Sequence, residues 1–276
     1  MPELPEVETV RNELLPYVVG RRITGVTLAW EGIVKEPTVE EFLSRVVGQK
    51  IKGITRRGKY LMVRLGSGEY LVIHLRMTGS LIVSPGSQEP PRFVRAIIHL
   101  DNETSIFFRD PRKFGVMRLA NNTSDIEAKL GPEPLEDSFT PDLLARLLSG
   151  RQAPIKALLL DQKLIAGIGN MYADEALYAA RLNPWQPGGS LSRQEIKRLY
   201  NEIRRILWAA IDNKGASVDT YFRPDGSEGS AHYEFKVAHG LGGKTCSVCA
   251  GLIERGLVRN RGTYYCPRCQ PFKRCK

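Results

Sequence analysis

The chain contains no run of about 18 apolar residues, and it does not open on a basic stretch followed by an apolar one, so neither a membrane span nor a secretion signal is expected. Cysteine is missing from the first 245 residues, and all five cysteines come after them. A disulfide framework for the whole chain is thereby excluded, and a local metal site is expected in its place. Acidic residues are also in short supply: 30 Asp and Glu stand against 40 Lys and Arg, a net charge of +10. That balance favours a polyanion over an acidic small molecule, with nucleic acid first among the candidates. With 276 residues, 42% of them hydrophobic, the chain has room for about two domains with packed cores. The cytoplasm is the expected compartment.

What is present begins with Met1-Pro2-Glu3-Leu4-Pro5-Glu6-Val7-Glu8-Thr9. Removal of Met1, which the small Pro2 permits, would leave Pro2 with a free secondary amine. An α-amino group titrates near ~7.7–8.0 against ~10.4 for lysine, so part of it is neutral and nucleophilic at neutral pH. Condensed with an aldehyde carbon, such an amine gives an iminium, an electron sink whose charge does not depend on pH. Glu3 and Glu6 offer carboxyls able to protonate a sugar ring oxygen or a leaving group. Val7, Val10, Leu14 and Tyr17 recur at helical spacing and run out around Pro16 and Gly20. This helix would anchor the terminus and fix the amine's orientation.

From about 21 to 120 the pattern changes to short β-branched runs. Stretches 60–65 and 70–75 read as a hairpin, 93–100 and 104–108 as another, and a β-sandwich is the expected packing. Proline-rich Leu130-Gly131-Pro132-Glu133-Pro134-Leu135 breaks every regular pattern and marks a hinge at 132–138. Helical signals follow. Thr140-Pro141 and Pro154-Ile155-Lys156 start two helices and a third covers 170–181. The longest covers 192–213, opened by a capping box of Ser192 and Glu195 with Leu191 and Ile196 at the staple positions. In Ile165-Ala166-Gly167-Ile168-Gly169-Asn170 two glycines allow a sharp turn and Asn170 is placed to cap the next helix, with exposed amides suited to phosphate. A glycine-rich polar stretch fills 214–233, with a turn at Pro224-Asp225-Gly226. Last, Cys246-x2-Cys249, sixteen residues, then Cys266-x2-Cys269 has the spacing of a four-cysteine zinc ribbon. Arg259-Asn260-Arg261 lies on the hairpin between the knuckles.

The opening nonapeptide resembles the start of the bacterial formamidopyrimidine-DNA glycosylases, in the family that also holds endonuclease VIII. Further matches are Arg56-Arg57-Gly58-Lys59-Tyr60, His74-Leu75-Arg76-Met77-Thr78-Gly79, Asp110-Pro111-Arg112-Lys113-Phe114-Gly115, the Gly167–Asn170 turn and the cysteine spacing, in the family's order and across nearly the whole chain. The resemblance implies an α+β multidomain fold. A catalytic β-sandwich with a flanking helix covers 1–131, a helix–two-turn–helix domain covers 139–240 with a lesion-reading loop at 214–233, and a zinc-finger hairpin with a basic tail covers 241–276. It implies a bifunctional enzyme that excises 8-oxoguanine and formamidopyrimidines from double-stranded DNA and cleaves the abasic strand by β,δ-elimination. The catalytic roles fall on Pro2, Glu3, Lys59 and Arg261. DNA contacts fall on His74, Met77, Arg112, Phe114, Arg151, Lys156 and Asn170, with Met77, Arg112 and Phe114 filling the gap left by an everted base. The lesion loop would read the base through Ser217, Val218, Thr220 and Tyr221. One structural Zn2+ would sit on Cys246, Cys249, Cys266 and Cys269. A bacterial, nucleoid-associated monomer without a small-molecule cofactor is expected.

Two departures stand out. Ala238-His239-Gly240-Leu241 lacks the family's tyrosine before the glycine and its basic residue after it, which puts one phosphate contact in doubt, and Cys275 has no counterpart. Three other readings remain open at this level. An endonuclease VIII-like enzyme for oxidised pyrimidines is disfavoured by Leu4, a non-catalytic damage binder by the presence of Pro2, Glu3, Lys59 and Arg261, and an RNA-binding zinc protein is permitted by charge alone.

Overall fold

The computed structural model describes residues 1–86, 88–218, 220–238 and 240–273; His239 and Cys275, singled out above, lie outside the described residues. The chain divides into two compact units, Met1–Ala128 with Asn213–His232, and Lys129–Asp212 with Tyr233–Lys276.

In the first unit, helix α1 (Leu4–Val18) is followed by strand β1 (Ile23–Leu28), β2 (Val34–Glu36), helix α2 (Val39–Val46), β3 (Ile51–Arg57), β4 (Tyr60–Leu65), β5 (Tyr70–His74), β6 (Ser80–Pro85), β7 (Val94–Leu100), β8 (Thr104–Arg109), β9 (Val116–Ala120) and a short α3 (Ser124–Glu127). They form a four-stranded sheet, β1-β7-β8-β6, and a five-stranded one, β2-β9-β5-β4-β3. Both expected hairpins are present: Tyr60 pairs with His74 through Arg64 with Tyr70, and Ile98 pairs with Ile106. The inward residues of both sheets and one side of α1 share a single apolar core. Helix α1 contributes Val7, Val10, Leu14 and Val18, not Tyr17, which is 46% exposed. The stripe extends from Leu14 by four residues rather than three, and the helix continues through Pro16 to Val18.

The second unit holds α4 (Pro141–Leu148), α5 (Ile155–Leu159), α6 (Asn170–Ala179), α7 (Arg193–Asp212) and the hairpin β10 (Glu254–Val258) with β11 (Arg261–Tyr265). The expected start signals operate. Thr140 Oγ1 accepts the Leu143 amide at 3.2 Å, and Ser192 and Glu195 cap each other, with backbone-to-side-chain distances of 2.9 and 3.3 Å. The proline-rich stretch is anchored rather than free: Gly131 donates to Gln162 O and Ala166 to Pro132 O, Glu133 is buried, and Arg204 donates to Pro134 O. Residues 213–232 group with the sandwich instead of the helical stretch 139–240 in which they were expected, because their anchoring partners, Glu6, Glu13 and Ser80, all belong to the first unit. The zinc-spacing segment groups with the helices. Among the described residues, no helix is long and apolar enough to cross a membrane.

Candidate active site and nucleic-acid interface

The chain terminus is not frayed. Met1 is 41% exposed, but Pro2 and Glu3 are buried, and Glu6 is fully so. The Glu3 amide donates to Glu6 Oε2 at 2.7 Å, and the Ala216 amide donates to Glu6 Oε1 at 2.8 Å. Both carboxylate oxygens of Glu6 are therefore engaged as acceptors, one fixing the start of α1 and one fixing the loop after α7. Of the two carboxyls expected as proton donors, Glu6 is a brace, and the Glu3 carboxylate accepts the Glu6 amide in the reciprocal half of a capping box. Gly215, at φ +78°, makes the approach possible: a Cβ there would lie 2.9 Å from Glu6 Cγ.

Lys59 follows Gly58 in the β3–β4 turn and is buried. Arg56 braces this turn, donating to Gly58 O at 3.0 Å and pairing with Glu8 at 2.7 Å, while Arg11 holds Glu8 from the other side. Burial pushes the Glu8 carboxyl up, but the hydrogen bonds from Arg11 and Arg56 outweigh it and hold it below the usual range. The cluster read as a cationic surface is thus partly neutralised, with Arg56 consumed by Glu8.

His74 is buried against the edge of Tyr60, ring centroids 4.5 Å apart, and its Nδ1 accepts the Arg76 amide at 2.9 Å. Burial, with Arg76 and Lys59 nearby, pushes its pKa down to about 3. The ring is therefore neutral with its proton on Nε2, a neutral donor rather than a cation. Between pH 6.5 and about 3 the unfolded chain binds a proton that the folded chain does not. Stability attributable to His74 is therefore lost as pH falls, by about 1.4 kcal/mol per unit. In urea titrations the stability gap between wild type and His74→Gln should shrink by about 2 kcal/mol from pH 7 to pH 5; an unchanged gap contradicts the assignment.

The expected wedge residues are held by Asp110, which sequence reading passed over. Its fully buried carboxylate accepts the Arg112 amide at 3.2 Å and the amides of Phe114 and Gly115, each at 2.7 Å, and it also accepts a short hydrogen bond from the Thr78 hydroxyl. One carboxylate thereby fixes the loop of Arg112 and Phe114 and ties it to the residue after Met77. Met77 is half-buried, whereas Arg112 and Phe114 are exposed, the guanidinium 4.7 Å from the Phe114 ring centroid. The available signal was local: an aspartate just ahead of a proline and a glycine is a turn-former whose side chain caps following amides.

The loop of residues 214–230 is more tightly built than a plain surface loop. Ser217 Oγ donates to Tyr221 O at 2.8 Å and accepts the Gly229 amide at 2.9 Å, so this side chain is spent on the loop itself. Tyr221 belongs to the sandwich core, and burial raises its hydroxyl pKa well above normal. Val218 and Thr220 are half-buried. The expected turn is present, with Gly226 at φ +81° and its amide donating to Arg223 O at 2.9 Å.

In the second unit, Lys156, expected at DNA, is instead withdrawn from the surface, its side chain 0% exposed: Nζ lies 2.7 Å from Asp174 Oδ1 and donates to Gly262 O at 2.8 Å and Thr263 Oγ1 at 2.9 Å. Those partners leave nothing to reach a phosphate with, so Lys156 holds the β10–β11 hairpin to α5. Burial pushes the Asp174 carboxyl up to about 7 against the pull of Lys156. Asn170 does not cap α6 either. Gly169 is the cap residue, and Asn170 Nδ2 donates to Gly262 O at 2.9 Å. Both side chains thus converge on the residue after Arg261. Arg261 is exposed beside the two-residue turn Arg259-Asn260, both at positive φ. Arg151 is exposed, with its Nε on Leu147 O at 2.7 Å. Glu175, buried on α6, accepts the amides of Lys236, Val237 and Ala238 at 2.7–2.9 Å.

The sulfurs of Cys246, Cys249, Cys266 and Cys269 lie within 4.8 Å of one another, with Cys246 and Cys269 3.8 Å apart and Cys249 and Cys266 3.4 Å apart. A tetrahedral zinc with Zn–S near ~2.3 Å calls for sulfurs about 3.8 Å apart, so the donor set fits that ion. The Tyr178 hydroxyl lies 3.1 Å from Cys246 Sγ, and Gln270, fully buried, accepts the Cys266 amide and donates to Leu182 O. Trp185 packs edge-on to Tyr265 at 4.8 Å and donates to Leu257 O. If these cysteines hold a metal in solution, its chelation should shift tryptophan emission to longer wavelength as the hairpin melts. Unchanged emission after complete chelation would mean that the hairpin folds without metal.

Comparison with known proteins agrees with this architecture. Residues 1–117 match the formamidopyrimidine-DNA glycosylase N-terminal domain and residues 130–221 the formamidopyrimidine-DNA glycosylase H2TH domain. The formamidopyrimidine-DNA glycosylase of Chloroflexus aurantiacus is 44% identical over 273 residues, 98% of each chain. That of Symbiobacterium thermophilum is 44% identical over 275 residues, 98% of this chain and 90% of the relative. The crystal structure of the MutM (FPG) protein of Thermus thermophilus superposes with a TM-score of 0.88 at 38% identity, covering 99% and 100% of the two chains. The Lactococcus lactis protein in complex with Fapy-dG-containing DNA superposes with a TM-score of 0.90 at 34% identity, covering 98% and 100%. Matched in both domains and along nearly its whole length, the chain belongs to the formamidopyrimidine-DNA glycosylase family.

Proposed function

We propose that the protein is a base-excision repair enzyme of the bacterial cytoplasm that removes oxidised purines, 8-oxoguanine and formamidopyrimidines, from double-stranded DNA and then cleaves the abasic strand. The observation that carries this reading is the buried, capped terminus: Pro2 and Glu3 are buried, the Glu3 amide donates to Glu6, and Met1 ahead of them is 41% exposed. A fixed amine and an adjacent carboxyl are what a nucleophile and its proton donor require.

With Met1 removed, the Pro2 nitrogen bonds to the sugar C1′ as the bond from C1′ to the base breaks and the base leaves with a proton. Glu3 protonates the ring oxygen, the sugar opens, and an iminium joins Pro2 to C1′. Loss of the C2′ proton, with Lys59 serving the proton transfers, expels the 3′ phosphate. A second elimination, assisted by Arg261 on the phosphates, expels the 5′ phosphate, and water releases the enzyme. Met77, Arg112 and Phe114 fill the space left by the everted base, at a cost of a few kcal/mol for unstacking that their contacts offset. His74 donates through Nε2 to a phosphate, and Arg151 and Asn170 serve the backbone. The loop with Ser217, Val218, Thr220 and Tyr221 reads the base through its backbone, the Ser217 and Tyr221 side chains being engaged within the protein. Cys246, Cys249, Cys266 and Cys269 would hold one zinc ion, whose part would be to stiffen the hairpin of Arg261.

A duplex with one 8-oxoguanine opposite cytosine tests this directly. The expected product is a one-nucleotide gap with phosphate at both ends. A strand left intact, or ended by a 3′ hydroxyl, contradicts it.

A further inference from the structure

Helix α1 carries, besides Glu6, a second acidic grip on the loop that follows α7. Glu13 stands seven residues further along, two turns and about 10 Å away on the same side of the helix. Its carboxylate receives a two-pronged bond from Arg223: Nη2 reaches Oε1 at 2.7 Å, and Nε reaches both oxygens at 3.1 and 3.2 Å. Arg223 is anchored on its own side as well, with Nη1 donating to Ser227 Oγ at 2.8 Å and its amide to Ser227 O at 2.9 Å. Next to it the Phe222 ring lies 5.2 Å from the Arg109 guanidinium, and the Phe222 amide donates to Ser80 Oγ at 3.2 Å. The pair is half-buried, with side-chain exposures of 23% and 20%, and its planar fork is the geometry that gives an arginine–carboxylate pair directional strength.

The helix that orients Pro2 and Glu3 therefore also fixes both ends of the loop between 216 and 223. Glu6 holds the Ala216 end, which is part of the terminus itself. Glu13 and Arg223 touch neither Pro2 nor Glu3. We propose that the Glu13–Arg223 pair is a positioning clamp that sets this loop in register with the catalytic helix for reading a damaged base, and is dispensable once the base is gone. This rests on the proposed function, and it assigns to Glu13 and Arg223 a role in substrate selection rather than in bond-breaking.

The experiment compares two duplexes, one carrying 8-oxoguanine opposite cytosine and one carrying an abasic site, under single turnover and across enzyme concentrations. Arg223→Ala should slow excision of 8-oxoguanine at least tenfold, while cleavage of the abasic strand stays within about twofold of wild type. The reversed pair Glu13→Arg with Arg223→Glu should recover most of the excision rate, which a variant that merely folds poorly would not. Equal loss on both duplexes, no loss on either, or failure of the reversed pair to recover while its melting temperature matches wild type would each overturn the clamp. Wild-type protein inert on both duplexes would overturn the proposed function, and the clamp with it.

Discussion

Replacing Asp110 with alanine should lower kcat/KM on 8-oxoguanine duplexes by about a hundredfold or more and destabilise the sandwich by about 3 kcal/mol, since a buried carboxylate is removed from donors that then lack an acceptor. Four donors converge on it: the amides of Arg112, Phe114 and Gly115 and the Thr78 hydroxyl. Without it, Arg112 and Phe114 lose their fixed spacing, and the wedge proposed for them, which needs one geometry to enter a duplex, becomes an ensemble. Asp110→Asn keeps the shape and one carbonyl acceptor, so its cost should be smaller on both counts. The check is a pair of measurements on each variant, urea denaturation and single-turnover excision. Full activity in a folded Asp110→Ala protein would show that the wedge loop needs no internal anchor.

The second large effect belongs to Lys156. Lys156→Ala should cost about 3–5 kcal/mol, because Asp174 is left buried beside an empty space and the hairpin carbonyl of Gly262 loses a donor. Lys156→Met with Asp174→Leu should restore most of that loss, since an apolar pair of similar volume replaces two desolvated charges. Duplex affinity in Lys156→Ala should fall through displacement of the hairpin bearing Arg261, and with little change in the salt slope, because Lys156 is too buried to neutralise a phosphate. Calorimetry on the three proteins and a salt titration of binding supply the readouts. A salt slope reduced by about one unit would restore Lys156 to the DNA surface.

What could be read from the chain in advance was whatever is encoded locally. The box of Ser192 and Glu195 spans three positions, the hairpin of β4 and β5 closes over a short turn, and the cysteine pairs carry their geometry in their spacing. Long-range partners were the part that composition and periodicity do not encode. Lys156 sits in a basic chain and reads as one more solvated cation, until folding brings it to Gly262 and Thr263, 106 and 107 residues away. The loop around Ala216 reads as polar and glycine-rich, yet its amide meets Glu6 across 210 residues. Tyr17 and Val18 illustrate the finer failure. Both continue the apolar stripe of α1, and the direction in which the helix faces the sheets selects Val18 for the core. Asp110 was legible by type but not by importance, since a turn-forming aspartate and the centre of a four-donor network look alike in sequence.

In the proposed reaction the Pro2 nitrogen becomes covalently bound to the sugar. Protein whose N-terminus has been confirmed by mass spectrometry to lack Met1 should be mixed with duplex carrying 8-oxoguanine opposite cytosine and treated with borohydride, and the adduct digested and mapped. A reduced adduct on the N-terminal peptide, at Pro2, is the expected result. Met1-free protein that binds the duplex yet yields no adduct, or an adduct on a lysine such as Lys59, would contradict the account.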